Sequence, residues 1–311
     1  MKHKIRPPLL RPSARAFVRE ARRTPGVSLL DTLHGYVYGR WVYLYLAIGG
    51  GHHWLGRLLG PVVKVLARLI PTRPPEGSTG TFADGYHGKV LPLEAASQLV
   101  SVEQDVSLTD LEHIIPYVRA RDIVLQHPDH IVAVECPCRT LRADPCLPLD
   151  VCLVVGEPFA SFVVEHHPGR SRWITAQEAV EILRAEDERG HAHHAFFKDA
   201  MLGRFYGICN CCACCCGAVR AHHGGTPMLA ASGYVCRVEA ELCIGCDLCT
   251  DFCQFHALSM DGDVAVVEAG ACMGCGVCVS QCAQGALSLV RDPDKGEPLE
   301  IYKLMERAAS A

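Results

Sequence analysis

The N-terminal quarter of the chain lacks acid. Residues 1–75 hold only Glu20 and Asp31 against 13 Lys or Arg, while the remaining 17 bases face 32 acids, so a basic arm of +11 precedes a body of −15. Long apolar runs are lacking as well. Between Met1 and Leu30 nothing resembles the run of at least ~7 apolar residues a secretory leader needs. Behind the Arg22-Arg23 pair, Asp31, His34 and Arg40 break the stretch that twin-arginine export would use. Trp41 to Gly56 carries no Asp, Glu, Lys or Arg, but its 16 residues, interrupted by Gly49-Gly50-Gly51 and His52-His53, fall short of the ~20 a spanning helix needs. That glycine triplet is followed by histidines and has no strand–loop–helix context, so no dinucleotide site is expected. No nucleophile triad is evident, and the acidic body argues against nucleic acid.

With 49% apolar and 21% charged residues, the 311-residue chain is globular and long enough for two domains. Its 19 cysteines fall in metal-ligand spacings, several of them adjacent, which points to a reducing cytoplasm and not to a disulfide framework. Eight of them repeat one pattern. Cys243, Cys246, Cys249 and Cys253 are spaced as C-x-x-C-x-x-C-x-x-x-C, and Cys272, Cys275, Cys278 and Cys282 repeat it 29 residues later. In such a run three thiolates wrap one iron–sulfur cube, and the fourth, on the following helix, points to the other. The expected ligand sets are therefore Cys243, Cys246, Cys249 and Cys282 for one [4Fe-4S] cluster, and Cys272, Cys275, Cys278 and Cys253 for a second. Paired zinc sites are the alternative, but zinc modules rarely show three cysteines at one spacing with a remote fourth.

The copies agree beyond cysteine. Cys-Ile-Gly-Cys-Asp-Leu-Cys stands against Cys-Met-Gly-Cys-Gly-Val-Cys, and Ala257-Leu258-Ser259 against Ala286-Leu287-Ser288. This resembles the bacterial-type two-cluster ferredoxins. Short strands are expected at Tyr234 to Val238, Leu258 to Met260, Asp263 to Val267 and Ala286 to Val290, around two short helices, in a β-α-β-β-α-β order. Gly245, Gly274 and Gly276 suit a loop that needs close approach or positive φ. The chain departs from the resemblance at Gln254 and Ala283, where proline usually follows the fourth cysteine, and this leaves the helix ends open.

Ten further thiols lie upstream in a region that reads as mixed α/β. Cys136, Cys138, Cys146 and Cys152 form one group; Cys209, Cys211, Cys212, Cys214, Cys215 and Cys216 place six thiols in eight residues. So dense a patch is too prone to oxidation to be unliganded core, and one or two additional [4Fe-4S] clusters are expected, with zinc as the alternative. Sites shared between the groups are favoured, because a C-x-C pair supplies too few ligands. Val134-Glu-Cys-Pro-Cys-Arg139, followed by the Cys-Asn-Cys-Cys-x-Cys-Cys-Cys run, resembles a group of multi-cluster iron–sulfur proteins in which the same half precedes a two-cluster module. Cys236 is expected to be a buried strand thiol. The pairs His166-His167 and His222-His223, with His191, His193 and His194, are candidate ligands by type, but at loop and helix ends they are expected to face solvent. Ser107 with Asp110 and Thr175 with Glu178 are expected helix N-caps, with Gly190 stopping the second helix. Asp122 to Gln126 and His130 to Glu135 are expected to pair through His-Pro-Asp.

The expected class is α+β, with a basic helical N-terminal arm (1–80), a cysteine-rich α/β domain (81–232), a two-cluster ferredoxin-like domain (233–291) and a tail (292–311). Within the arm, Arg57, Lys64 and Arg68 fall on one helical face opposite Leu55, Leu58, Leu59, Val62, Val63, Leu66, Leu69 and Ile70. Such a face suits the inner membrane surface or a larger enzyme complex, and equally an ordinary packed helix. The expected function is single-electron transfer between protein redox partners. An oxidoreductase with a substrate-binding cluster in the middle domain, or a thiol and cluster redox sensor, are the alternatives.

Overall fold

A computed structural model describes residues 11–56, 77–109 and 111–310. The expected basic amphipathic helix around residues 57–70 and most of the 71–80 linker lie outside the described residues, as does Asp110. The fold is mixed α/β. In chain order its helices are α1 (Pro12–Arg23), α2 (Leu29–Arg40), α3 (Val42–Gly49), α4 (Leu93–Val100), α5 (Pro137–Thr140), α6 (Phe159–His166), α7 (Ala176–Glu188), α8 (Gly217–His223), α9 (Leu248–Asp251), α10 (Val277–Ser280) and α11 (Ile301–Ser310). No helix among the described residues is long and apolar enough to cross a membrane.

One large sheet organises the middle of the chain. Its strands are β1 (Tyr86–Leu91), β2 (Val106–Leu108), β3 (Ile123–Val134), β4 (Cys152–Glu157), β5 (Ser171–Ile174), β6 (Ala192–Lys198), β7 (Arg204–Cys211) and β8 (Leu229–Ala230). They run in the order β2-β3-β4-β7-β6-β1-β8, with β5 on β3, and every pairing is antiparallel except β1 with β8. Both faces are covered. Along β4, Leu153 and Val155 enter one core with Leu99 and Leu183, while Cys152 and Val154 enter a second with Phe17, Phe159 and Phe162. Successive strand residues point to opposite faces, so two-sided cover makes β4 and β6 nearly continuously buried.

Several expectations need correction. Ser107 does not cap a helix; it lies in β2, because Val106 and Leu108 bury themselves by pairing with Leu125 and Ile123. The stretches 122–126 and 130–135 do not fold back on each other. They are parts of β3, whose register on β4 jumps between Gln126 and Ile131, with His127 at φ 49° absorbing the bulge. Of the histidines expected to face solvent, His166, His191, His193 and His194 are buried, because β6 and α6 are covered from both sides. The arm is no separate object over its described part. α1 buries Ala14, Phe17 and Ala21 against α6, and Glu20 pairs with the buried Arg204 of β7 at 3.1 Å. Thr175 does cap α7, accepting from the Glu178 amide at 3.1 Å, and Gly190 follows that helix at φ +83°.

Downstream come β9 (Tyr234–Val238), α9, β10 (Leu258–Asp261), β11 (Val264–Val267), α10 and β12 (Leu287–Arg291). That is the expected β-α-β-β-α-β order, with β9 paired to β12 and β10 to β11. The repeat unit is thus two short hairpin-like ladders around a small core of Cys236, Leu258, Ala265, Cys272, Cys278 and Leu287. α11, in the expected tail, buries Ile301 and Leu304, and Tyr302 donates to the Ser101 carbonyl at 2.9 Å.

Candidate metal centres

The cysteines gather in three places, and secondary structure explains each. In the C-terminal unit, Gly245, Gly274 and Gly276 all have positive φ, as expected. At Gly274 an added Cβ would meet the Tyr234 carbonyl oxygen at 2.2 Å, and at Gly245 the Asp263 oxygen at 2.9 Å, so both positions need glycine. Against expectation, the fourth cysteine of each run is not on the helix: α9 ends at Asp251 and α10 at Ser280, so Cys253 and Cys282 lie just past them. Neither end needs a proline. Gln254 occupies its place with a different task, described below.

Cys253 lines one cavity with Cys272, Cys275 and Cys278, walled by Gly274, Gly276, Phe255 and Val277. Two backbone amides point at sulfurs there, Ala257 N to Cys253 Sγ at 3.2 Å and Cys236 N to Cys272 Sγ at 3.4 Å. Burial pushes the Cys275 thiol up, and neighbouring sulfurs add to it. The group is held as a neutral thiol, and it would become a thiolate only with a cation beside it. This donor set therefore fits a metal cluster. Cys243 and Cys249 flank the same small core as Cys282, with Cys246 exposed. The sulfur of Cys236 lies 3.6 Å from that of Cys278, and the residue is buried as expected.

The second gathering is a buried chamber lined by Cys136, Cys138, Cys152, Cys209, Cys211 and Cys216, with Cys212 and Cys215 also on its wall. Sheet order brings these together: β3 ends at Val134, opposite Cys152 at the start of β4, and β7, the next strand, ends with Cys209 and Cys211. Sulfur hydrogen bonds link Cys136 with Cys138 and Cys152, Cys138 with Cys216, and Cys216 with Cys211 at 3.1 Å. The hydrogen bond from Cys216, with the buried His194 beside it, lowers the Cys211 thiol to about 6 against the opposing effect of burial. Even without Cys212 and Cys215, six soft donors around one buried, largely apolar cavity are more than a cubane requires.

Residues that sequence reasoning passed over hold this chamber in shape. Arg139, fully buried, donates to the Pro148 carbonyl at 2.6 Å and the Asn210 carbonyl at 3.2 Å, and pairs with Glu186 of α7. Burial works to raise Glu186, but its hydrogen bond with His191 at 2.7 Å and the Arg139 charge hold it below the usual carboxylate range. Asn210, between Cys209 and Cys211, donates to Val151 O at 2.7 Å and meets His193 Nδ1 at 2.6 Å. The Asn within the cysteine run was the one available signal. Nothing in the sequence pointed to Glu186.

The third gathering interleaves the two upstream groups. Cys146 meets Cys212, Cys214 and Cys215, all four sulfurs lying within 4.8 Å of one another. Arg142 donates to the Cys215 carbonyl at 3.0 Å and ties the loop before β4 to this turn. Thus the chamber and the group of four each draw on both segments, and Cys212 and Cys215 stand between the two. Comparison of the chain with protein-family models gives no match, and comparison with curated proteins gives none.

Proposed function

We propose that the protein is an iron–sulfur electron carrier. It would hold two [4Fe-4S] clusters in its C-terminal unit, resembling the bacterial-type ferredoxins, and a third in the six-thiol chamber. The observation that carries this reading is the sharing of one cavity by Cys253, from the first cysteine run, with Cys272, Cys275 and Cys278 of the second. Crossed ligation of that kind is what the doubled spacing implies, and zinc modules have no use for it. Clusters of this type take up and release single electrons. The chain's own work is to fix their spacing, exclude water from the six-thiol chamber and aim amide donors such as Ala257 N and Cys236 N at ligand sulfurs, which tunes potential.

In this reading the −15 body offers acidic surface to cationic redox partners. The basic residues ahead of position 75 would hold the carrier at an anionic surface, the inner face of a membrane or a larger enzyme. Iron and acid-labile sulfide, measured on anaerobically purified protein, test it. About twelve of each per chain are expected. Values near eight would remove the third cluster, and values near zero with several zinc ions would end the electron-transfer reading.

A further inference from the structure

The four sulfurs of Cys146, Cys212, Cys214 and Cys215 are too close together for a cubane. Cys146 lies 3.2 Å from Cys214, 3.7 Å from Cys212 and 3.8 Å from Cys215, and Cys214 lies 3.7 Å from Cys215. Four thiolates bound tetrahedrally to one ion at ~2.3 Å stand ~3.8 Å apart along each edge. A cubane offers each thiolate a different iron and spreads its ligands wider. Among the described residues, the eight C-terminal cysteines form no such compact group. We infer that Cys146, Cys212, Cys214 and Cys215 form a separate site for one tetrahedral divalent ion, held as a mononuclear tetrathiolate. This goes beyond the electron-carrier reading and does not depend on it.

The surroundings suit a structural ion. The Cys215 amide points at the Cys212 sulfur, the type of N–H to sulfur contact that steadies a bound thiolate. Cys146 sits in the irregular stretch between α5 and β4, and 66 residues separate it from Cys212, so an ion here closes a long loop. It also braces the wall between two other parts. Cys212 and Cys215 also face the chamber of Cys211 and Cys216 on one side, and Ala213, between two of the four ligands, bonds to Gln254 of the C-terminal unit on the other. Zinc meets this role without redox chemistry of its own; iron in the same four-sulfur cage shares the ligand chemistry.

The test uses the full chain purified anaerobically, with zinc, iron and sulfide quantified, and X-ray absorption at the edge of whichever metal is in excess over sulfide. The expected result is about one zinc per chain with four sulfurs at ~2.3 Å and no second metal in its shell. Cys214→Ser, at the most exposed of the four ligands, should remove that zinc and leave iron and sulfide unchanged. If iron occupies the site, iron should exceed sulfide by one, and the variant should lose that one iron without sulfide; this also supports the proposal. Iron and sulfide equal with no zinc in the wild type overturns it. So does loss of iron and sulfide together in Cys214→Ser. The absorption spectrum of the wild type decides the matter even if the variant fails to fold.

Discussion

Gln254 clasps Ala213: its Oε1 accepts the Ala213 amide at 2.7 Å while its Nε2 donates to the Gly190 carbonyl at 2.7 Å. The residue stands directly after Cys253, where the spacing of the run leads to the expectation of proline. Proline has no side-chain amide and makes neither contact. The position has become a joint between the cysteine run at 209–216, the end of α7 and the C-terminal unit, and Gln281 repeats the device by donating to the Asp187 carbonyl at 2.9 Å.

Replacing Gln254 by proline, the residue usual there, should therefore destabilise this protein. Loss of two partly buried hydrogen bonds costs about 1–3 kcal/mol, because Ala213 N and Gly190 O are left without partners. Amide hydrogen exchange reads it directly. Protection at Ala213 should fall in Gln254→Pro and Gln254→Ala, while β6 and β7 stay protected.

Arg139→Met should unfold the six-thiol chamber before it affects the C-terminal unit. Removing one partner of a buried ion pair leaves Glu186 with only His191 and the half-exposed Arg189, at a cost of up to about 3–5 kcal/mol. The double variant Arg139→Met with Glu186→Leu should recover part of that loss, since an apolar pair of similar volume can replace a buried ion pair. Urea unfolding of the three proteins measures it.

The N-terminal helix should behave as core. Phe17 lies among Phe159 and Phe162, with ring centroids 6.4 and 5.7 Å away. Phe17→Ala should cost about 3–5 kcal/mol. A detachable arm would instead give a change near zero, and limited proteolysis would clip residues 11–23 without slowing on the folded protein.

His87 gives a pH signature. It is fully buried, stacks on Tyr117 with centroids 3.6 Å apart, and its Nδ1–H donates to the Ala83 carbonyl at 2.8 Å. Burial lowers its pKa from 6.5 to about 4, so the unfolded chain binds a proton in a range where the folded one does not. Its contribution is complete above 6.5, is lost as pH falls toward 4, and amounts to roughly 3 kcal/mol at most. His87→Gln should flatten that limb of the stability curve relative to the unsubstituted protein.

The doubled motif, its glycines and the strand order around it were legible because they are local: three cysteines within seven residues, with glycines at positive φ between them, dictate the loop. That the two middle groups come together was expected, but which cysteine meets which was not legible. Cys146 reaches Cys214 across 68 residues only because β3, β4 and β7 are neighbours, and sheet order is a long-range fact that spacing does not carry. Ser107 illustrates a local signal overruled, since cap-like spacing lost to the burial of Val106 and Leu108 against β3. The burial of His193 and His194 followed from cover on both faces of β6, where the alternation expected of a one-sided sheet does not apply. In α1, Ala14, Phe17 and Ala21 recur at helical spacing, yet the surrounding arginines drew attention to charge.

Cys253→Ala, followed by anaerobic iron and sulfide analysis and paramagnetic resonance of the reduced protein, tests the central claim most directly. The account predicts selective damage to the cluster of Cys272, Cys275 and Cys278, with iron and sulfide falling together by up to about four per chain while the signal of the Cys243, Cys246 and Cys249 cluster persists. Selective loss of that nearer cluster, or no change in iron and sulfide at all, would contradict it.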